Sequence, residues 1–114
     1  MTQELAQLFT SLKANTINFK HVIEFIEARY QHINTAFKNG DAYNQATQNQ
    51  GSAKVFAFAN LHQLSAPNTL YLFAEHYQAV LSSPTATDHQ NIRQFMLCGW
   101  EGIAFEGEVL VEKV

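Results

Sequence analysis

From Gly51 to Gly107, apolar residues recur at helical spacing, and capping residues and chain breakers divide this run into separate segments. A stripe with this period is typical of helices that pack one face on a core. The first segment, Lys54–His62, contains the string VFAFA, which fits either a buried strand or a buried helix. Because Ser52 can cap a helix and the helical spacing continues to His62, we predict a central helix with two apolar faces.

Two more helices are predicted downstream in the same run. The first is capped by Ser65 and ends before Pro84. The second begins at Thr87 or Asp88, and Gly99 is a natural left-handed residue near its end. Their predicted inward-facing residues are Leu70, Phe73, Ala74, Tyr77 and Leu81 in the first helix and Ile92, Phe95, Met96 and Trp100 in the second.

The N-terminal part of the chain predicts two amphipathic helices that are joined by a short polar link. Thr2 can cap the first helix, and Asn18 or Thr16 can cap the second. The two apolar stripes consist of Leu5, Leu8, Phe9 and Leu12, and of Phe19, Val22, Ile23, Ile26 and Tyr30.

After Gly102 the apolar period changes to two, which predicts a strand over Ile103–Val111 with a break at Gly107. A short strand is also predicted at Thr35–Lys38, because a strong Asn-Gly-Asp turn signal follows it. The strings AFKNG and AFEG resemble each other, so the two strands could pair with both phenylalanines on the core face. The pairing would bring Lys38 near Glu106.

The segment between the turn and the central helix, residues 42–52, is rich in amide side chains and offers little apolar area. We predict an ordered loop or a single helical turn there. Taken together, the sequence predicts an α+β fold: a mainly helical single domain, spanning residues 1–114, with about five helices. Its small β element is formed by Thr35–Lys38 and Ile103–Val111.

A chain of 114 residues with 46% hydrophobic residues can bury one core. The net charge is −3 and the seven basic residues are scattered, so we predict neither a nucleic-acid partner nor a membrane partner. Cys98 is the single cysteine, which fits a protein that folds in a reducing cytoplasm. The N-terminus lacks a basic segment followed by an apolar one, so we expect no Sec-type export.

Three distinctive segments, GSAKVFAFANLHQLS, TDHQNIRQFM and GWEGIAFEGE, resemble the HopJ type III effector family. The resemblance covers most of the chain, includes the amide-rich segment, and is least specific in the first helix. It implies that at least some relatives are delivered into host cells by a type III secretion machine. It implies no established activity.

Two classes of function remain open on the sequence. The first is a protein-interaction module with a host or bacterial protein partner. The alternative is a small-ligand-binding protein or an uncharacterised enzyme. A pocket lined by the polar residues described below would favour the alternative, whereas a flat or convex surface would favour the interaction module.

No recognisable catalytic signature, metal site or cofactor site is present in the sequence. The five histidines form neither an HxxxH nor an HExxH pair, and no second cysteine could complete a zinc site. Cys98 lies at the C-terminal end of a predicted helix, where the helix dipole disfavours a thiolate. We therefore predict no metal and no cofactor, and leave open whether the protein is an enzyme.

The candidate ligand-binding site is the polar cluster at the start of the last predicted helix. One interpretation is purely structural, with Asp88 or Thr87 as the N-cap. In the other, His89 and Arg93 project from one side of the helix and hold an anionic or carbonyl group against its N-terminus. The full candidate set is Asp88, His89, Asn91 and Arg93, with Trp100, His62, Asn44 and Asn49 as further lining residues.

Overall fold

Six α-helices and five short strands are found in residues 2–113, the part of the chain that the computed structural model describes. The helices are α1 (Thr2–Lys13), α2 (Phe19–Glu27), α3 (Gln50–Leu61), α4 (Ala66–Tyr71), α5 (Glu75–Ser82) and α6 (Gln90–Cys98), and a 3-10 helix (Gly99–Gly102) continues from α6. The strands are β1 (Tyr30–His32), β2 (Phe37–Asn39), β3 (Ala42–Asn44), β4 (Ile103–Phe105) and β5 (Leu110–Glu112). The fold is therefore α+β and mainly helical, as predicted, with one helix more than expected.

The strands form two small antiparallel sheets. In one sheet β2 lies between β3 and β4, and in the other β1 pairs with β5. The predicted pairing is confirmed, because Phe37 lies directly opposite Phe105 with 6.1 Å between the ring centroids. Lys38 lies opposite Ala104.

The predicted strand boundaries need three corrections. The upstream strand begins at Phe37, because Thr35 instead exchanges hydrogen bonds with the side chain of Gln50. The segment Ile103–Val111 is divided between two sheets, so it contributes β4 and β5. The amide-rich segment is not all loop, since Ala42–Asn44 forms β3 across a tight turn in which Gly40 has φ 57°.

Helix α3 is the centre of the core, and the prediction of a helix with two apolar faces is confirmed. Its buried residues are Ala53, Val55, Phe56, Ala57, Phe58 and Ala59. The Phe56 ring contacts aromatic rings from four other parts of the chain: Phe37, Phe73, Phe95 and Trp100. These contacts join the sheet and the helices into one core. Burying each phenylalanine side chain contributes about 1.5–3 kcal/mol to folding stability.

The helix starts agree with prediction in two places. Asn18 caps α2 in a capping box, in which its side chain accepts from His21 N and the His21 ring faces the backbone N–H of Asn18. Ser65 caps α4, and its hydroxyl accepts a hydrogen bond from the Asn68 amide at 3.2 Å.

Two predicted helix starts and one continuous helix are wrong. Helix α3 begins after Asn49 rather than at Ser52, and α6 begins after His89 rather than at Thr87 or Asp88. The helix predicted from Ser65 to Leu81 is broken between α4 and α5, where Ala74 has φ 51° and ψ −122°. No glycine or proline marks this break in the sequence.

The longest helices, α1 and α3, have 12 residues each. Within residues 2–113 no helix is both long and apolar enough to cross a membrane.

Candidate functional site

A cleft of about 570 Å³ lies at the N-terminal ends of α3 and α6. Strand β3 lines it through Ala42, Tyr43 and Asn44, and the segment before α3 lines it through Gln48 and Asn49. Gly51 and Ser52 of α3, His89 to Ile92 around the start of α6, and Phe19, Phe73 and His76 complete the lining. The cleft thus combines backbone at two helix ends with amide, imidazole and aromatic side chains.

Four asparagines next to the cleft form a continuous hydrogen-bond network. Asn44 and Asn91 are buried and exchange two amide hydrogen bonds, at 3.0 and 3.1 Å. Asn49 donates to Asn44 at 2.7 Å, and Asn39 donates to both the backbone and the side-chain oxygen of Asn91. These residues come from β2, from β3, from the segment before α3, and from α6 itself. The network therefore fixes the sheet against the N-terminal ends of both helices.

Both helices that begin at the cleft, α3 and α6, lack a side-chain cap at their N-termini. The residues at the cap positions, Asn49 and His89, have left-handed backbones with φ values of 52° and 51°, and neither side chain accepts a hydrogen bond from its helix. The first amides of a helix have no partner within that helix. The cleft is therefore lined by first-turn residues whose backbone N–H groups no side chain at the cap position binds, at the positive ends of two helix dipoles.

Aromatic and imidazole rings form one continuous wall of the cleft. Phe19 stacks on Phe73 at 5.9 Å between centroids and meets His76 edge-on at 5.0 Å. His76 in turn contacts His89, with 5.1 Å between ring centroids. The wall consequently changes from apolar to polar along its length.

The charged groups beside the cleft are already paired with protein groups. Arg93 donates to the Asp88 carboxylate at 2.7 Å and to the Asp88 carbonyl oxygen at 2.6 Å. The hydrogen bond from Arg93 holds the pKa of Asp88 below its ordinary value, so this carboxylate stays charged. The Glu75 carboxylate accepts a hydrogen bond from the Phe19 amide at 2.6 Å.

The structure brings half of the candidate set together at the cleft. His89, Asn91, Asn44 and Asn49 all line it. Asp88 lies just before His89, does not cap α6 and is not among the lining residues. Arg93 binds the Asp88 carboxylate and lines a separate groove between α5 and α6.

The other two candidates have structural contacts elsewhere. Trp100 packs against Phe56 and Phe95, and its indole N–H donates to the Leu64 carbonyl at 3.0 Å. His62 is hydrogen-bonded to the Tyr30 hydroxyl at 2.9 Å. Neither side chain lines the cleft.

Sequence reasoning missed His76, Phe19 and Phe73 as lining residues. Both phenylalanines were assigned to apolar helix stripes, which is where core residues are expected. His76 lies just after Ala74, where the predicted helix is interrupted, and no residue pattern predicted that interruption.

No group of three or more His, Cys, Asp or Glu side chains among residues 2–113 is arranged to hold a metal ion. The polar chemistry available in the cleft is hydrogen bonding from amides, imidazoles and the hydroxyls of Tyr43 and Ser52, together with the charge of an imidazolium when histidine is protonated.

The sequence model of the family described as HopJ type III effector protein matches residues 5–110. The chain therefore belongs to the HopJ type III effector family. It is also similar to a protein of known crystal structure and unknown function, VPA0580, with 42% identity and a TM-score of 0.87. That likeness covers 96% of this chain and 93% of the other. A search of the curated proteins gave no match.

Proposed function

We propose that this HopJ-family protein binds a small polar ligand in the cleft between the N-terminal ends of α3 and α6. The observation that carries the proposal is the convergence of two helix ends without side-chain caps on the His76–His89 pair. The volume of about 570 Å³ lies within the range of small-molecule sites.

The composition of the cleft supports a ligand with a polar head and a flat apolar part. Backbone amides and imidazoles can donate hydrogen bonds to carbonyl or acidic oxygens, while Phe19 and Phe73 offer aromatic surface. Backbone strain supports the same proposal. Left-handed conformations cost non-glycine residues free energy and cluster at functional sites, and His89 adopts one at the edge of this cleft.

The test is an NMR titration of the isotope-labelled full chain with benzoate, benzamide and phenyl phosphate. Binding in the cleft should shift the backbone amides of Gly51, Ser52 and Gln90. Gly51→Gln should reduce these shifts at a given probe concentration, because Gly51 lines the cleft and a Cβ there meets only the Phe19 ring, at 3.5 Å. Gly107→Gln is the matched control, since Gly107 is exposed and lies outside the lining.

The proposal is contradicted if all three probes leave the cleft amides unshifted. It is also contradicted if Gly51→Gln binds them as tightly as the unaltered protein. In either case the second candidate function, a protein-interaction module, becomes the better account.

The second candidate is supported by exposed apolar side chains on the outer faces of α5 and α6. Leu81, Met96 and Leu97 are 48%, 43% and 79% exposed, and they line a groove of about 370 Å³. Exposed apolar clusters of this kind often mark contacts with proteins. Leu97→Lys should abolish capture of a host or bacterial protein partner if the groove binds it, while leaving probe binding in the cleft unchanged.

Localisation and excluded partners complete the proposal. Family membership supports synthesis in the bacterial cytoplasm followed by type III delivery, which a translocation reporter fused to the full chain would test. The scattered positive charge supports the absence of nucleic-acid and membrane partners. Salt-sensitive submicromolar binding to duplex DNA would contradict the absence of a nucleic-acid partner. Co-sedimentation with anionic vesicles would contradict the absence of a membrane partner.

A further inference from the structure

We propose that the ligand of the cleft is an oxyanion and that its binding is coupled to proton uptake by His76 and His89. This inference rests on the proposed function, and it adds the chemical class of the ligand and a dependence on pH. Four observations about the cleft support it.

The first observation is that both imidazoles are available to a ligand. The His76 ring contacts Phe19 and His89, and no hydrogen bond to a residue between 2 and 113 fixes its nitrogens. The His89 ring comes no closer than 4.0 Å to the Asp88 carboxylate, so that contact is loose. Each ring can therefore donate to a bound oxygen.

The second observation is that, among residues 2–113, the carboxylates next to the two histidines are already bound by protein groups. Glu75 precedes His76, and its carboxylate accepts from the Phe19 amide. Asp88 precedes His89, and its carboxylate is bound by Arg93. Tyr43, which lines the cleft, carries a phenol whose pKa is raised, first by its hydrogen bond to Glu106, so it stays neutral.

The third observation is the closeness of the two histidines. Ring centroids 5.1 Å apart mean that two protonated imidazoles would repel each other in the empty cleft. A bound anion compensates that repulsion and favours the protonated form of both rings. By linkage, the affinity for an anion must then rise as pH falls through the range in which histidine gains its charge.

The fourth observation is that the donors surrounding the pair match the same ligand. The first amides of α3 and α6 have no side-chain cap and line the same cleft. Oxyanions accept several hydrogen bonds at once, so the amides would add to the attraction of the imidazoles. The imidazoles alone make this attraction sensitive to pH.

The experiment measures the binding of sulfate, benzoate and benzamide by calorimetry, at constant chloride, between about pH 7.5 and about pH 5.5. Sulfate represents tetrahedral oxyanions and benzoate represents carboxylates, and both keep their charge in this range. Benzamide is the uncharged counterpart of benzoate. Repeating the titrations in buffers with different enthalpies of ionisation counts the protons that are taken up.

We expect the affinity for at least one anion to rise about tenfold per pH unit for each proton taken up. Benzamide should bind equally well at both ends of the range. The stronger of the two anions identifies the source of the oxyanion, as a phosphate-like or sulfate-like group or as a carboxylate.

Variants assign the effect to the two histidines. His76→Gln and His89→Asn should each lower the affinity for the anion at acid pH by about tenfold or more and flatten its pH dependence. Asparagine tolerates the left-handed backbone at position 89, so the second variant keeps the fold. His21→Gln is the control, because it removes an exposed histidine outside the cleft and keeps a residue that suits the capping box.

A pair of substitutions at one position separates the effect of charge on ligand binding from the steric effect of the new side chain. Gly51→Gln and Gly51→Glu place side chains of nearly equal volume beside Phe19. The glutamate should weaken anion binding beyond the loss caused by glutamine, whereas both should weaken benzamide binding equally.

The possible results separate this inference from the proposed function. If benzamide binds in the cleft and neither anion does, or if anion binding is independent of pH, the oxyanion proposal is overturned and the cleft remains a ligand site. Anion binding that survives both histidine substitutions overturns the role of His76 and His89. If no probe shifts the cleft amides, the proposed function itself fails.

Discussion

Asn44 and Asn91 face each other beside the cleft and exchange two amide hydrogen bonds, each side chain donating to the oxygen of the other at 3.1 and 3.0 Å. They are 47 residues apart in sequence, and both are nearly completely buried. This pair links β3 to the first turn of α6 and so sets the distance between two sides of the cleft.

Replacing Asn91 by alanine should therefore destabilise the protein. The substitution removes both bonds of the pair and leaves the buried Asn44 amide without two of its partners, which should cost about 1–3 kcal/mol. Urea unfolding at neutral pH measures the loss. Asn60→Ala is the control, because Asn60 is exposed on α3. Equal stabilities for the two variants would show that the pair contributes nothing.

At position 89, glycine should give a more stable protein than alanine, which is the reverse of their usual order of stability in helices. His89 has φ 51°, a conformation that glycine adopts without strain and alanine does not. His89→Gly should therefore be more stable than His89→Ala by about 1 kcal/mol, while both lose the imidazole. Thermal unfolding gives the order. A more stable alanine variant would argue against the left-handed start of α6.

Stability should fall on acidification because of two partly buried histidines. Burial is the main cause that lowers the pKa of His32 and of His62 in the folded protein, and the charge of Lys54 adds to it at His32. The unfolded chain then binds protons at higher pH than the folded one. The corresponding stability is complete above the ordinary histidine pKa of 6.5 and is lost as pH falls below it towards the lowered values.

His32→Leu should reduce this acid sensitivity at little cost in hydrogen bonding, because neither ring nitrogen of His32 has a partner in good hydrogen-bond geometry within residues 2–113. Urea midpoints at about pH 7.5 and about pH 5.5 measure the effect. His21→Gln again serves as the control, since His21 is exposed. The prediction fails if His32→Leu and the control lose equal stability on acidification.

Two large apolar side chains should differ sharply in their contribution to stability. Phe56→Ala empties the middle of the core and should cost about 3–5 kcal/mol. Leu97→Ala should change stability by less than about 0.5 kcal/mol, because Leu97 is 79% exposed. Chemical unfolding of both variants makes the comparison. A large loss for Leu97→Ala would indicate that the α5–α6 groove is covered in solution.

Local patterns in the sequence were enough to predict the α+β class, the central helix and the strand pair that contains Phe37 and Phe105. Each depends on periodicity or on a turn signal, which act over a few residues. Ser65 was recognised as a cap, and Asn18 as one of two candidate caps, for the same reason, since a cap bonds to backbone within one turn.

The position of the polar cluster at His89 and Asn91 was also visible in the sequence, but its arrangement was not. A helix start at Thr87 or Asp88 was the expected result of capping chemistry alone. In the folded protein, Arg93 binds the Asp88 carboxylate, and Asn91 is drawn into the buried network with Asn39 and Asn44. The local Arg93–Asp88 pair and the tertiary contacts of Asn91 together move the start of α6 to Gln90.

The sequence by itself determined most of the helices and the pairing of β2 with β4, because hydrophobic period, caps and turns are properties of neighbouring residues. It did not predict β1, β3 or the interruption between α4 and α5. Only the tertiary structure decided that His76 meets His89 and that the ends of α3 and α6 share one cleft. Those contacts join residues from distant segments. They also depend on the helix interruption at Ala74, whose positive φ no local preference favours. Packing of Phe73 on Phe56 and Phe19 offsets the cost of that break, and such packing exists only once the core has formed.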